Sequence, residues 1–435
     1  MIRYGNSQLS FVRNGTISLD GDDFLESALA PFFYGNGTEI DFGIGCPTGN
    51  CTWTPYESLA ICGNCTDVSN LLTYACLSAP GDWRSNITTL LLEYSEYPEI
   101  YACGYYLNAT GDQPMLMNGF AGGPSNPGEA LSLRLLPLSD PTTRQPLYGT
   151  GSINFNNVRN PITDFIAVGT EGGTSAVYAN ATPKATECVI NWCTKTFAPT
   201  YEWGVLNENP SNIFYDTSPY YFPWDFHKNA VGAMVGDYVA SFNLTPPVQH
   251  PPGANITYGL ANETAIEVLM LFDTILPAFI TSNVTSTSIF RTANAYYLGM
   301  PPRTRIAGNN GWTQINNIAD YIQRLADAMT HSIRANSNQT VIAAGDAIVG
   351  ETYVHVRWGW IVLPVSMLFI SLIFIIATVI KSSSERNEVG IWKTSALAAL
   401  MNGLDAPVQQ NVGPLRKMSD VRKAAERLKV RIFPD

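Results

Sequence analysis

From Trp358 to Ile380 the chain runs for 23 residues without a charged side chain, as WGWIVLPVSMLFISLIFIIATVI. A helix of about 20 apolar residues crosses a bilayer. A helix in the core of a soluble domain rarely stays apolar on all faces for so long, so this stretch predicts a transmembrane helix. Trp358 and Trp360 stand at its start, where indole rings favour the headgroup level. Pro364 falls in the first turns, where a helix tolerates it. The run from Ile266 to Ile280 is shorter and contains Glu267, Asp273 and Pro277; it predicts a buried helix of a water-soluble domain. Ile318, Tyr321, Ile322, Leu325, Met329 and Ile333 recur at helical spacing and predict an amphipathic helix over 315–335. A shorter helix is expected over 18–34, capped by Asp22 or Asp23, with Phe24, Leu25 and Leu29 on one face. Strands are expected at Leu131–Leu136, Ser152–Phe155, Phe165–Val168 and Cys188–Phe197, and at Thr352–Arg357 leading into the membrane. Residues 120–128 read as a Gly/Pro loop, and 207–256, rich in Pro and aromatics, as irregular.

Charge divides around the span. Residues 381–435 carry ten Lys+Arg against six Asp+Glu, and residues 1–357 carry fifteen against thirty. Lys381, Arg386 and Lys393 follow the span closely and only Arg357 precedes it closely. The positive-inside rule then places the C-terminal tail in the cytoplasm and the larger part outside it. The net charge of −11 argues against a nucleic-acid partner. Charged residues make up only 14% of the chain and aromatics 11%, which excludes a disordered chain.

Asn-x-Ser/Thr triplets occur at Asn14, Asn36, Asn50, Asn64, Asn86, Asn108, Asn180, Asn243, Asn255, Asn262, Asn283 and Asn338, all before the span. They are candidate glycan acceptors. The eight cysteines, Cys46, Cys51, Cys62, Cys65, Cys76, Cys103, Cys188 and Cys193, also precede it. An even set in an exported segment reads as disulfides. Cys188 and Cys193 stand apart and most simply bridge each other, with the other six pairing within 46–103. The CX4C and CX2C spacing of Cys46, Cys51, Cys62 and Cys65 also suits zinc, but the side of the membrane favours disulfides.

These readings combine into an α+β fold. A disulfide-bonded ectodomain rich in β-sheet with a few helices precedes one transmembrane helix and a short helical tail. Its parts are an N-terminal segment (1–45), a cysteine-rich part (46–103), the main ectodomain (104–357), the span (358–380) and the tail (381–435). Residues 1–30 show no apolar export signal, so upstream targeting or membrane segments are expected. In the tail, Ile391, Trp392, Leu397, Leu400, Met401 and Leu404 form an apolar stripe suited to the membrane interface. Arg416, Lys417, Arg422, Lys423, Arg427, Lys429 and Arg431 form a basic helix suited to anionic lipid.

Four separated motifs carry a resemblance. They are CPTGNCTWTPYESLAICGNCTDVS from Cys46, ATECVINWC from Ala185, VHVRWGWIVLP from Val354 and IWKTSALAALMNGL from Ile391. Together they resemble the fungal membrane-protein family catalogued as a domain of unknown function (number 3176), over about residues 15–405. The resemblance implies a membrane protein with a cytoplasmic tail and further transmembrane helices upstream. It implies no activity.

Chemical motifs are sparse. His227, His250, His331 and His355 are scattered, and no HExxH, GxSxG, GxxxxGK[ST] or GxGxxG occurs. The run Asp20-Gly-Asp22-Asp23 lacks the length and closing Glu of a calcium loop. No metal or cofactor is expected. The densest feature is aromatic: Phe214, Tyr215, Tyr220, Tyr221, Phe222, Trp224 and Phe226. Of these, Tyr220, Tyr221 and Trp224 are the candidate recognition residues, for a glycan or a protein ligand; the alternative, which the residue types favour, is that the rings cover the core through an irregular segment. The leading expectation is a non-enzymatic membrane glycoprotein at the plasma membrane or an endomembrane, engaged in recognition, adhesion or scaffolding. The alternatives are an ectoenzyme acting on cell-wall or lumenal glycans through an acid pair, or a subunit of a larger membrane complex.

Overall fold

The computed structural model describes residues 2–4, 11–13, 16–18, 23–38, 46–87, 96–109, 114–140, 142–219, 222–228, 230–232, 234–238, 242–249, 253, 256–260, 262–283, 286–292, 303–306, 311–335, 343–350, 354–384, 423 and 426–427. The chain divides into two units, 1–349 and 350–435.

In the first unit, short strands β1 (Ile2–Tyr4), β2 (Phe11–Arg13) and β3 (Thr16–Ser18) precede helix α1 (Asp23–Tyr34). The cysteine-rich part forms β4 (Asn50–Trp53), β5 (Tyr56–Asp67), β6 (Leu72–Pro80) and β7 (Glu99–Leu107). Then come β8 (Met115–Ala121), β9 (Ala130–Pro137), β10 (Pro161–Gly169), the short helix α2 (Gly173–Tyr178) and β11 (Lys184–Phe197). Among the described residues, these strands build most of an eleven-stranded sheet with the path β14-β11-β10-β9-β19-β20-β21, to which β5, β6, β7 and β8 add. Of the strands not yet placed, β14 is Ser211–Phe214, β19 is Ala278–Ser282, β20 is Ile289–Thr292 and β21 is Arg303–Ile306. Strand β10 shows why the central strands read as unbroken apolar runs rather than alternating ones. Phe165 and Ala167 enter one core with Leu25, Leu29 and Leu325, while Ile166 and Val168 enter a second with Met115, Met117 and Leu136.

The predicted amphipathic helix is α4 (Ile318–Ala335), and all six of its predicted apolar positions are buried. It lies against β5. Gly63 permits the approach, since a Cβ there would come within 2.9 Å of the Ile322 side chain. Thr330 Oγ1 accepts the Ile61 N–H at 3.0 Å, fixing the helix to the strand. The predicted buried helix over 266–280 is shorter than expected and begins earlier. Helix α3 spans Asn262–Asp273, and the segment after Pro277 becomes β19. Proline has no N–H and disfavours helical backbone in the residue before it, so the apolar run changes element there.

Several further expectations are corrected. Ser152–Phe155 is not a strand: its backbone N–H groups turn to a carboxylate instead of a neighbouring strand. Glu187 accepts from Ile153 N at 2.7 Å, Asn154 N at 3.0 Å and Ser152 Oγ at 3.1 Å. The loop over 120–128 starts later, because β8 continues to Ala121. Residues 207–256 contain β14, the hairpin β15 (Trp224–Lys228) and β16 (Met234–Tyr238), and β17 (Asn243–Leu244). No strand forms at Val354–Arg357.

The cysteine pairing also departs from the expectation. The bridges are Cys46–Cys51, Cys62–Cys193, Cys65–Cys188 and Cys76–Cys103, with no free cysteine. Cys188 and Cys193 share one strand. Five residues of extended chain span about 16 Å at 3.3 Å each, beyond the reach of a disulfide, and an odd spacing points the two to opposite faces. Each therefore bridges to β5, whose twelve aligned pairs with β11 place Cys65 opposite Cys188. Their Cα atoms are 4.1 Å apart, and those of Cys76 and Cys103, also directly opposed, are 4.0 Å apart. With every thiol paired, no thiolate remains for zinc.

In the second unit, α5 (Gly359–Ser384) is a helix of 26 residues with no buried side chain, long and apolar enough to cross a membrane. At 1.5 Å per residue it is about 39 Å long. Two of its hydroxyls are satisfied internally: Ser366 Oγ donates to Leu363 O at 2.8 Å and Thr378 Oγ1 to Phe374 O at 2.7 Å, which lowers their cost in hydrocarbon. The tail segments 391–404 and 416–431 lie outside the described residues apart from 423, 426 and 427.

Candidate functional site

Strand β15 follows the aromatic segment and presents rings on its surface. Phe226 is 56% exposed and Phe222, just before the strand, 43%. Trp224, between them in sequence, is half-buried. Its Nε1 donates to Thr142 O at 3.1 Å, and its ring stacks on Phe226 with centroids 6.3 Å apart and 19° between planes. Phe222 continues the row at 6.2 Å from Phe226. Trp224 thus anchors a ridge whose accessible surface belongs to Phe226 and, beyond it, Phe222. Tyr220 and Tyr221 lie outside the described residues. Alternation along a strand sends neighbouring residues to opposite faces, and that signal singles out the 222, 224, 226 set in the sequence.

A second exposed ring was not singled out. Trp203, 88% exposed, tips the two-residue turn joining β12 (Thr200–Glu202) to β13 (Val205–Asn207). Trp203 and Gly204 take φ of 53° and 86°, as a two-residue hairpin whose central positions are both left-handed requires. The Trp203 N–H is shared by Gly49 O at 3.0 Å and Asn50 Oδ1 at 3.2 Å. The Trp-Gly pair was the available signal.

Among the cavities of the first unit are two of similar size. One, of about 290 Å³, is lined by small and hydroxyl residues including Ser132, Gly169, Thr170, Ser288 and Thr313. The other, of about 320 Å³, lies over the bridged β5–β11 pair, between Phe155, Ile213, Tyr215, Asn64 and Gln323. Among the described residues, no carboxylate lines either.

The buried acids instead hold loops and helices. Arg134 grips Asp82 through two nitrogens and also donates to Leu116 O at 2.9 Å. Arg84 Nε meets Glu129 at 2.9 Å, and Arg291 donates to Trp83 O. Together these hold the turn after β6, with Trp83 fully buried. Glu208 accepts from Arg334 at 2.7 and 2.8 Å and lies 3.4 Å from His331. Burial by itself pushes the Glu208 carboxyl up, but the hydrogen bonds and charges of His331 and Arg334 bring it down to about 2. Asp164 is 4% exposed. Burial, with the charge of Glu187 adding, pushes it up to about 7 against a hydrogen bond with Ser152. Among the described residues, no three His, Cys, Asp or Glu side chains gather as a metal site.

Of the acceptor asparagines, Asn36, Asn64, Asn86, Asn108, Asn180, Asn243 and Asn283 are exposed, and Asn50 is half-buried. Asn14, Asn255 and Asn338 lie outside the described residues, and Asn262 is described by its backbone alone as the first residue of α3. No family model, curated protein or solved structure matches the chain.

Proposed function

We propose that this chain is a membrane-anchored recognition protein whose ectodomain binds a glycan or protein ligand outside the cytoplasm through the Phe222–Trp224–Phe226 ridge. The observation that carries the reading is the ridge itself: a tryptophan held by Thr142 O, the exposed Phe226 ring stacked on it, and the exposed Phe222 ring against Phe226. Rings held in a row offer apolar contact at little entropic cost. Four disulfides and a helix long enough to cross a membrane support placement in an oxidising compartment at a bilayer. The charge asymmetry supports a cytoplasmic tail, and the exposed acceptor asparagines support glycosylation.

The test is retention of the detergent-solubilised full chain on arrays of wall and lumenal glycans and of secreted proteins, with and without Phe222→Ala and Phe226→Ala together. A ligand held by the wild type and lost by about tenfold or more in the double variant supports the reading. Equal retention of the two proteins rejects the ridge as the binding surface.

A further inference from the structure

We propose that the N-linked glycan of Asn64 is seated in the groove that the Asn64 side chain itself lines, where its first sugar ring covers the Cys62–Cys193 bridge. The inference rests on the extracytoplasmic placement proposed above. Asn64, Cys65 and Thr66 form the acceptor triplet. Alternate residues of a strand share a face, so Asn64 lies on the same side of β5 as Cys62, with Val189 and Asn191 opposite them on β11. That face is the floor of the cavity of about 320 Å³.

The lining suits a neutral amino sugar. Phe155 and Tyr215, both half-buried, and Ile213, 55% exposed, give apolar walls for a pyranose face. Asn191 and Gln323 also line it; their amide nitrogens are engaged by Trp192 O at 3.0 Å and by Asp327 at 3.1 Å, which leaves their amide oxygens to accept from hydroxyl and acetamido N–H groups. Lys195, which also lines it, has its charge met by Asp327 Oδ1 at 3.0 Å, which suits an uncharged occupant. An occupant covalently attached to the lining itself also avoids most of the entropic cost of association. Asn86, Asn108 and Asn283 are exposed acceptors that line neither cavity, so they serve as internal controls.

The experiment uses the full chain made in a secretory host and kept folded in detergent. Peptide-N-glycosidase is applied without denaturant, and occupancy at each site is followed by glycopeptide mass spectrometry. The expected result is occupied Asn64, released about tenfold more slowly than Asn86 and Asn108, the ratio that about 1.4 kcal/mol of seating gives. Ile213→Asp and Tyr215→Ala, each checked for an unchanged far-ultraviolet spectrum, are expected to bring the Asn64 rate up to that of the controls. Three outcomes overturn the proposal: Asn64 empty while Asn86 or Asn108 is occupied, equal release rates in the wild type, or slow release that both groove variants leave untouched. The last would assign the protection to the strand backbone. Absence of glycan at every acceptor would overturn the extracytoplasmic reading as well.

Discussion

Asp164 and Glu208 show how two buried carboxyls in one domain acquire opposite pH behaviour. An Asp in the unfolded chain ionises near its ordinary value of about 3.9, whereas Asp164 in the fold holds its proton to about 7. Its contribution to stability is therefore complete below about pH 4 and is lost as the pH rises through 7. Asp164→Asn stays neutral throughout. The variant is expected to match the wild type at pH 4 and to exceed it at pH 8 by up to a few kcal/mol, measured by urea unfolding under non-reducing conditions. Glu208 runs the other way. Its carboxyl is held near 2 by His331 and Arg334, so its contribution is present above about pH 4.3 and lost as the pH falls through 2. Glu208→Gln is expected to cost about 2 kcal/mol at pH 7, with the difference narrowing below pH 4 in the same assay.

At the scale of elements, the nested bridges between β5 and β11 make a quantitative prediction. Cys62–Cys193 and Cys65–Cys188 close nearly the same loop, with separations of 131 and 123 residues. Removing one leaves that loop closed by the other. Replacing Cys62 and Cys193 by Ser should cost about 2–3 kcal/mol, and removing both bridges about 5 kcal/mol more, in guanidinium unfolding. The same pair shows what was legible in the sequence. Period 3.6 marked α4 and its buried face, and apolar runs marked β9, β10 and β11. Extending a strand across Cys188 to Phe197 already forbids a bridge between Cys188 and Cys193, because the extended backbone separates them. Neither their partners on β5 nor the register was legible, since strand pairing between residues more than a hundred apart leaves no local trace. Pro277 was visible, but an apolar segment serves a buried helix and a buried strand equally well, so its change of element was hidden. The ridge was legible as an aromatic cluster. Which rings it exposes depended on β15 having a hairpin partner in β16.

For the whole molecule, α5 predicts how the chain partitions. An alkaline carbonate wash is expected to leave the full chain in the membrane pellet, and deletion of residues 359–384 to move it to the supernatant; retention of the deleted form would show an attachment other than α5. The two long bridges carry a last consequence, for a chain exposed to proteases. Any cut between Thr66 and Glu187 falls inside both loops, and the halves stay covalently joined. Such a nicked protein would migrate as one species until reduced. Its N-terminal half would not be shed but would remain tethered to the portion that continues into the bilayer.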